Sequence, residues 1–156
     1  MKTALESEDG FVLGAPFLAT SALIGRLPLC EARLQSDVRW PWICLIPRRA
    51  DVTEVEQLSA ADRARLIEEA TACGPAVRAI GEVLGFAVEK LNIGALGNVT
   101  PQLHVHVVGR RPGDAAWAGP VWGFGVSEAY APAIEARAVA AARAALGPRL
   151  AAWAAG

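Results

Sequence analysis

The two histidines of the chain, His104 and His106, are the residues whose type and spacing indicate chemistry most directly. They stand two residues apart in the segment Gln102-Leu103-His104-Val105-His106-Val107-Val108, in which polar and apolar residues alternate. Side chains two apart in a β-strand point to the same face, so we expect Gln102, His104 and His106 to form one polar row. Because a neutral imidazole is a nucleophile at physiological pH, such a row is suited to nucleophilic catalysis.

The same alternation is typical of a half-exposed strand whose polar face is merely solvated. The flanking segments favour a functional interpretation. Upstream, the segment from Asn92 to Pro101 predicts a strand that runs into a turn rich in glycine and asparagine. Downstream, the segment from Gly109 to Asp114 ends the strand and places two arginines near its end.

With these surroundings, the segment resembles the signature of the histidine triad family of nucleotide-binding proteins, in which three histidines alternate with apolar residues. Gln102 stands where that signature has its first histidine. The resemblance extends to Asp37, the strand from Trp42 to Arg48, the hairpin from Asn92 to Arg110 and the segment from Trp117 to Gly123. It implies an α+β fold with an antiparallel sheet, one long helix and a C-terminal helical extension.

The resemblance also implies catalytic roles. His104 would attack the α-phosphorus of a nucleotide and form a nucleotidyl-histidine, and His106 would stabilise the charge on a nonbridging oxygen. Gln102 would hold the tautomer and orientation of His104, although a glutamine cannot become a cation. Thr100 or a water would assist the leaving group. The implied activity is that of a nucleotide hydrolase or transferase acting on a phosphoramidate, an adenylate or a dinucleoside polyphosphate, without a cofactor.

Four further residues match nucleotide contacts of the family. Asn92, Gly97 and Asn98 match phosphate contacts, since amides donate N–H groups and glycine lets the backbone approach closely. Asp37 matches the acidic residue that accepts hydrogen bonds from both ribose hydroxyls. Each also has an ordinary explanation, because Gly, Asn and Asp are frequent in turns. Asn92 lies in a predicted strand, where asparagine is disfavoured, and this favours a functional role for it.

Two other hypotheses follow from the same residues. Because Gln102 departs from the family pattern, the chain could be a nucleotide-binding sensor or adaptor with little turnover, and binding without steady-state turnover would select this reading. Metal binding by His104 and His106 is the third, but two imidazoles without a third ligand form a poor site, so no metal is expected. Trp117 and Trp122 resemble a tail segment that lies near the family's active site, or they anchor a surface loop.

The length, composition and charge of the chain limit the number of domains and the type of ligand. With 156 residues, 53% of them hydrophobic, the chain can bury one core, so we expect a single domain with a family core over about 5–123 and an alanine-rich extension over 124–156. A net charge of −1 gives no general attraction to nucleic acid or anionic lipid. The ligand that the resemblance implies, a purine nucleotide or nucleotide conjugate, must therefore be held by a local site. No apolar run reaches the roughly 20 residues of a membrane helix.

The cysteines and the N-terminus indicate the compartment. Cys30, Cys44 and Cys73 are odd in number and widely spaced, which predicts buried thiols in a reducing environment. Acidic residues follow Met1 to Leu5 at once and leave no apolar core for a secretory signal. We therefore expect a cytoplasmic protein.

Local patterns predict two hairpins and three helices. Ser59 is a typical N-cap and Gly85 a typical helix stop, while Pro75 should bend the helix between them. The apolar face of this helix also suggests a homodimer in which it covers the equivalent helix of a second copy. The expected elements are a short helix and turns over Phe11–Arg26, strands over Leu27–Gln35 and Arg39–Pro47, a long helix over Ser59–Leu84, strands over Ala87–Leu96 and Gln102–Arg110, and a helix within Ser127–Leu146.

Overall fold

The structure, a computed structural model, describes residues 10–151. The expectations for the first nine residues, including the absence of a secretory signal, lie outside the described part of the chain. In chain order the elements are α1 (Ala15–Thr20), β1 (Ser21–Arg26), β2 (Cys30–Gln35), β3 (Trp42–Pro47), α2 (Ala60–Leu84), β4 (Lys90–Gly94), β5 (Val105–Arg110) and α3 (Pro132–Leu146), with 3₁₀ turns at Val55–Gln57 and Gly147–Arg149.

The five strands form one antiparallel sheet in the order β1-β2-β3-β5-β4. The strand that carries the histidines, β5, therefore lies between β3 and β4. This arrangement confirms the predicted α+β fold with an antiparallel sheet, a long helix and a C-terminal helix.

The two faces of the sheet serve different purposes. On one face, Ile43 and Leu45 of β3 and Val105 and Val107 of β5 are buried in the main core with α2 and α3. Because strand side chains alternate, the opposite face receives Trp42 and Cys44 of β3 together with the histidines. That second face is covered by α1 and by the segment that follows β5.

The long helix is formed as its caps predict. The Ser59 side chain accepts a hydrogen bond from the Asp62 backbone N–H at 3.1 Å, and Gly85 ends the helix in the left-handed conformation, at φ 65°. Pro75 lies inside this continuous helix. Helix α3 buries Ala138 and Leu146 in the same core as α2 and the sheet, so the alanine-rich extension contributes to that core.

The segment from Phe11 to Arg26 corrects the sequence prediction. It contains the expected short helix, but Ser21–Arg26 form the edge strand β1 instead of turns. This strand is defined by its pairing with β2, across a register irregularity between Leu23 and Gly25, and its own residues carry little strand signal. Within residues 10–151, no helix is long and apolar enough to cross a membrane.

Candidate active site

The two histidine rings meet at the start of β5. His104 directly precedes the strand and His106 is its second residue. Their ring centroids are 4.8 Å apart, with the planes nearly perpendicular, and each residue is 6% exposed. Phe17 of α1 packs edge-on against His104 at 5.0 Å, and Trp122 packs edge-on against His106 at 5.5 Å. The pair is thus a buried polar centre between two aromatic rings.

The tautomer of His104 is fixed by the main chain. Its Nδ1 lies 2.7 Å from the backbone carbonyl oxygen of Gln102. A carbonyl only accepts, so Nδ1 carries the hydrogen and donates it. In the neutral ring this leaves the lone pair on Nε2, which has no hydrogen-bond partner among the described residues. His104 therefore presents a lone pair on Nε2 that no described residue occupies.

The side chain of Gln102 does something other than expected. Its Oε1 accepts a hydrogen bond from the Gly14 backbone N–H at 2.8 Å, and its Nε2 donates to the Val12 carbonyl at 2.9 Å. The side chain thus ties down the segment leading into α1, and the backbone of the same residue orients His104. The expectation that the Gln102 side chain holds the imidazole is corrected, because both of its polar atoms bond to the main chain.

His106 is held in the opposite tautomer. Its Nδ1 accepts a hydrogen bond from the Trp42 indole N–H at 2.9 Å, so in the neutral ring Nε2 carries the hydrogen. Burial, and secondarily the neighbouring His104, lowers the pKa of His106 to about 3. His106 is therefore a neutral N–H donor at physiological pH.

This lowered pKa predicts acid sensitivity. As pH falls below the ordinary histidine pKa of about 6.5, the unfolded chain protonates at His106 and the folded chain does not, so the free energy of unfolding decreases by at most about 1.4 kcal/mol per pH unit down to about pH 3. In a His106→Asn variant, Oδ1 can replace Nδ1 as the acceptor for the indole. Between about pH 7 and about pH 4.5, we expect the free energy of unfolding of this variant to decrease by about 2 to 3 kcal/mol less than that of the wild type. Urea unfolding measures both losses, and equal losses would contradict the assignment.

The turn before the motif lies beside His104. A Cβ added to Gly97 would lie 3.9 Å from His104 Cε1 and 3.2 Å from the Thr100 carbonyl oxygen. Gly97, Asn98 and His104 line a cavity of about 140 Å³ together with Thr53 and Glu54. The structure therefore brings the two predicted phosphate contacts to His104. Thr53 and Glu54 were missed by sequence reasoning, because they belong to no motif and come from a distant loop.

Asn92 is oriented by a buried arginine. Arg110, which is 1% exposed, donates from one terminal nitrogen to Asn92 Oδ1 at 2.7 Å. A guanidinium only donates, so the side-chain oxygen of Asn92 must face Arg110 and its N–H groups remain available. Arg110 also forms a two-pronged ion pair with Asp114, at 2.7 and 3.0 Å, and donates to the Gly119 carbonyl. Asn92 pairs with Val108, so it lies on the sheet face that carries His106.

Asp37 lies apart from this centre. It is in the β2–β3 turn, beyond the end of β3 that pairs with Val108, whereas His104 lies beyond the opposite end. Its carboxylate accepts hydrogen bonds from the Arg39 side chain at 2.7 and 2.9 Å, and one oxygen also accepts from the Glu128 backbone N–H at 3.5 Å. The structure therefore does not bring Asp37 to the histidines.

The two tryptophans of the segment after β5, Trp117 and Trp122, lie in different surroundings. Trp122 forms a wall of the site, since it contacts His106 and lies 3.7 Å from where a Gly94 Cβ would be. Trp117, 42% exposed, lies 5.7 Å from the Arg110 guanidinium. Of these two tryptophans, Trp122 is the one that contacts a histidine ring.

Other cavities and groups are separate from the histidines. A cavity of about 720 Å³ lies along α2 and the end of α3, and the sheet separates it from the site. The three cysteines are buried and unpaired, as predicted, and burial raises the pKa of the Cys44 and Cys73 thiols to about 12. Among residues 10–151, no three His, Cys, Asp or Glu side chains are grouped as metal ligands.

The chain is similar to known proteins over most of its length. Residues 18–113 match the family model of the HIT domain. Histidine triad proteins of known structure from Sinorhizobium meliloti, Bradyrhizobium japonicum and Marinobacter aquaeolei are 40%, 36% and 34% identical, with TM-scores of 0.81, 0.78 and 0.78. The matches cover 88%, 88% and 87% of this chain and 98%, 98% and 96% of those chains. No curated protein matches the sequence significantly.

Proposed function

Because the chain belongs to the histidine triad family, we propose that it is a nucleotide hydrolase or transferase that cleaves at the α-phosphate through a covalent nucleotidyl-His104. The family supports nucleotide chemistry in general. The observation that carries the specific proposal is the hydrogen bond from His104 Nδ1 to the Gln102 carbonyl, because it leaves Nε2 with a free lone pair in a buried site.

The proposed reaction has two displacements. In the first, Nε2 of His104 attacks the α-phosphorus, a P–N bond forms, and the bond to the leaving group breaks as that group departs with the electron pair and takes up a proton. The ring then carries hydrogen on Nδ1 and phosphorus on Nε2, and its positive charge is stabilised by the Gln102 carbonyl. In the second, water attacks phosphorus, the P–N bond breaks, one proton is lost to solvent, and neutral His104 and a nucleoside monophosphate are released.

Neutral donors hold the phosphate in this proposal. His106 Nε2–H and the amide N–H groups of Asn92 and Asn98 donate to the nonbridging oxygens, and Gly97 lets the backbone approach. The ligand is a purine nucleotide or nucleotide conjugate. A ribose contact by Asp37 requires the carboxylate to exchange its bonds with Arg39 for the ribose hydroxyls, so we give it no part in the chemical step.

A binding screen followed by mass measurement tests the proposal. Nucleoside monophosphates are expected to raise the melting temperature, with the largest shift for purines. Rapid quench of the protein with adenosine 5′-phosphoramidate, followed by intact mass measurement, is expected to reveal an adduct of one adenylyl group. Turnover that proceeds without any adduct contradicts the covalent route, and absence of both binding and turnover contradicts the function.

The second candidate is a nucleotide-binding sensor or adaptor with little turnover. It is favoured by one observation: the Gln102 side chain is occupied by Val12 and Gly14 and has no exchangeable cationic proton for a leaving group. Nucleotide binding together with an adduct that persists, or no adduct at all, selects this function over the enzyme.

Substitution of Gln102 separates the two functions. In the wild type, the segment before α1 positions Phe17 against His104, and the Gln102 side chain holds this segment by two hydrogen bonds. Gln102→Ala removes both bonds, so we expect the turnover number to fall much more than the nucleotide affinity. Gln102→His retains one donor and one acceptor and should be tolerated. Hydrogen exchange at the Gly14 amide should accelerate in Gln102→Ala and much less in Gln102→Glu, which keeps the acceptor. Unchanged turnover in Gln102→Ala would show that this tether is not part of the mechanism, and activity that appears only in Gln102→His would favour the sensor.

We also propose a homodimer in a reducing, cytoplasmic location. The apolar face of α2 is used within the chain's own core, so it cannot be the contact that the sequence suggested. The edge strand β4 is the better candidate, because β5 is its one neighbour in the sheet that residues 10–151 form, and Ile93 is 50% exposed. Sedimentation should give twice the chain mass, and a mass near 16.3 kDa at micromolar concentration would refute the dimer.

A further inference from the structure

Trp42 and His106 form a buried hydrogen bond between side chains on neighbouring strands. The indole Nε1 lies 2.9 Å from His106 Nδ1, and each residue is 6% exposed. In the sheet register Cys44 pairs with His106, and Trp42 pairs with Val108. Trp42 is therefore the diagonal neighbour of His106 on the same face, a separation that an aromatic side chain can bridge.

The chemistry of the indole leaves one arrangement for this contact. Indole N–H is a donor only, so the facing imidazole nitrogen must present a lone pair. The hydrogen of neutral His106 is then on Nε2, which has no acceptor among the residues that the structure describes. Reversing the tautomer would set two N–H groups against each other inside a buried site.

The aromatic neighbours prevent the indole from turning away. Trp42 packs edge-on against Trp40 and against Trp122, in each case with ring centroids 6.4 Å apart. It shares a buried cluster with Val108 and Val121. The donor is thus held by packing as well as by its acceptor.

We propose that Trp42 is a positioning residue that holds His106 with its hydrogen on Nε2, so that this nitrogen donates to a nonbridging oxygen of the bound phosphate. The phosphate role rests on the proposed function. The tautomer assignment stands on the hydrogen bond alone. Burial lowers the pKa of His106, so the ring is neutral at physiological pH and has a single hydrogen for the indole contact to place.

Nitrogen-15 NMR of the histidine rings tests the assignment without any substrate. In the wild type, His106 is expected to have a protonated Nε2 and an unprotonated Nδ1 at neutral pH. In Trp42→Phe the ring keeps an aromatic neighbour and loses the donor, and we expect both nitrogens to shift toward tautomer-averaged values. Trp122→Phe is the matched control, because it replaces an indole packed on the same imidazole and leaves the hydrogen bond in place. Its tautomer signature should match the wild type.

Steady-state kinetics test whether the tautomer of His106 affects turnover. Trp42→Phe is expected to lower kcat about tenfold while KM changes less than about threefold, since a donor to the reacting phosphate is lost from its fixed orientation. A wild-type ring protonated on Nδ1, or an unchanged tautomer in Trp42→Phe, overturns the proposal. Equal shifts in both variants also overturn it, because they would reflect general loosening of the aromatic cluster. If the tautomer shifts as expected and no nucleotide is turned over by any form, the positioning of His106 stands and the proposed function fails.

Discussion

Replacing His104 with alanine is expected to reduce nucleotide turnover by about 1,000-fold or more and to abolish the nucleotidyl adduct. His104 Nε2 is the nitrogen with a free lone pair at the buried site, whereas Nδ1 is occupied by the Gln102 carbonyl. The nucleotide affinity should change much less, because Asn92, Asn98 and His106 remain. Stopped-flow rates, intact mass and calorimetric binding measure the three quantities.

His104→Asn is the sharper variant. Its side-chain amide can still donate to the Gln102 carbonyl, so the local backbone is supported, but it has no nucleophile. We expect it to melt close to the wild type and to form no adduct. Cys44 lies on the same sheet face and its thiol is protonated at neutral pH, so Cys44→Ala should retain the adduct. Full activity of His104→Ala, or loss of the adduct only in Cys44→Ala, would contradict the mechanism.

Substitution of Arg110 by methionine is expected to destabilise the fold by about 3 to 5 kcal/mol. The variant leaves the carboxylate of Asp114 buried without its cation, and the side chains of the pair are 2% and 0% exposed. Although burial alone would raise it, the hydrogen bonds from Arg110 and nearby backbone groups lower the pKa of Asp114 to about 2, so the carboxylate stays ionised at neutral pH. The melting temperature should fall by roughly 10 °C, measured by calorimetry.

Two control variants test whether the loss of stability in Arg110→Met comes from the buried ion pair. Arg111→Met removes a neighbouring guanidinium that lies 4.3 Å from the Phe86 ring centroid, and it should cost less than about 1 kcal/mol. Arg110→Met combined with Asp114→Leu should be more stable than Arg110→Met alone, because no unpaired charge is then buried. If the two arginine variants unfold at the same temperature, the Arg110 pair is not the stabilising feature. Nucleotide affinity should also fall in Arg110→Met, as Asn92 loses the partner that orients its amide.

Local patterns were sufficient for the elements whose signals are contained in a few consecutive residues. The caps at Ser59 and Gly85 and the apolar spacing between them determine α2, because capping and helical periodicity are short-range effects. The alternation around His104 and His106 likewise predicts that both side chains lie on one side of the sheet, although His104 itself directly precedes β5. The sequence analysis missed edge strand β1, because this strand is stabilised by its pairing with β2 and its own residues show no clear strand pattern.

The sequence by itself determined that this chain folds as a histidine triad protein and that its two imidazoles lie side by side, because both follow from short spacings and a motif. Only the tertiary structure decided the state of each ring. The partner of His106 is Trp42, 64 residues away, and the Gln102 side chain bonds to Gly14, 88 residues away. Such contacts depend on strand register and on which segments cover the sheet. Because indoles and guanidinium groups only donate, the partners on other strands fix where the hydrogens of His106 and Asn92 lie. The hydrogen of His104 is fixed by a carbonyl only two residues away, once the chain before β5 has adopted its folded conformation.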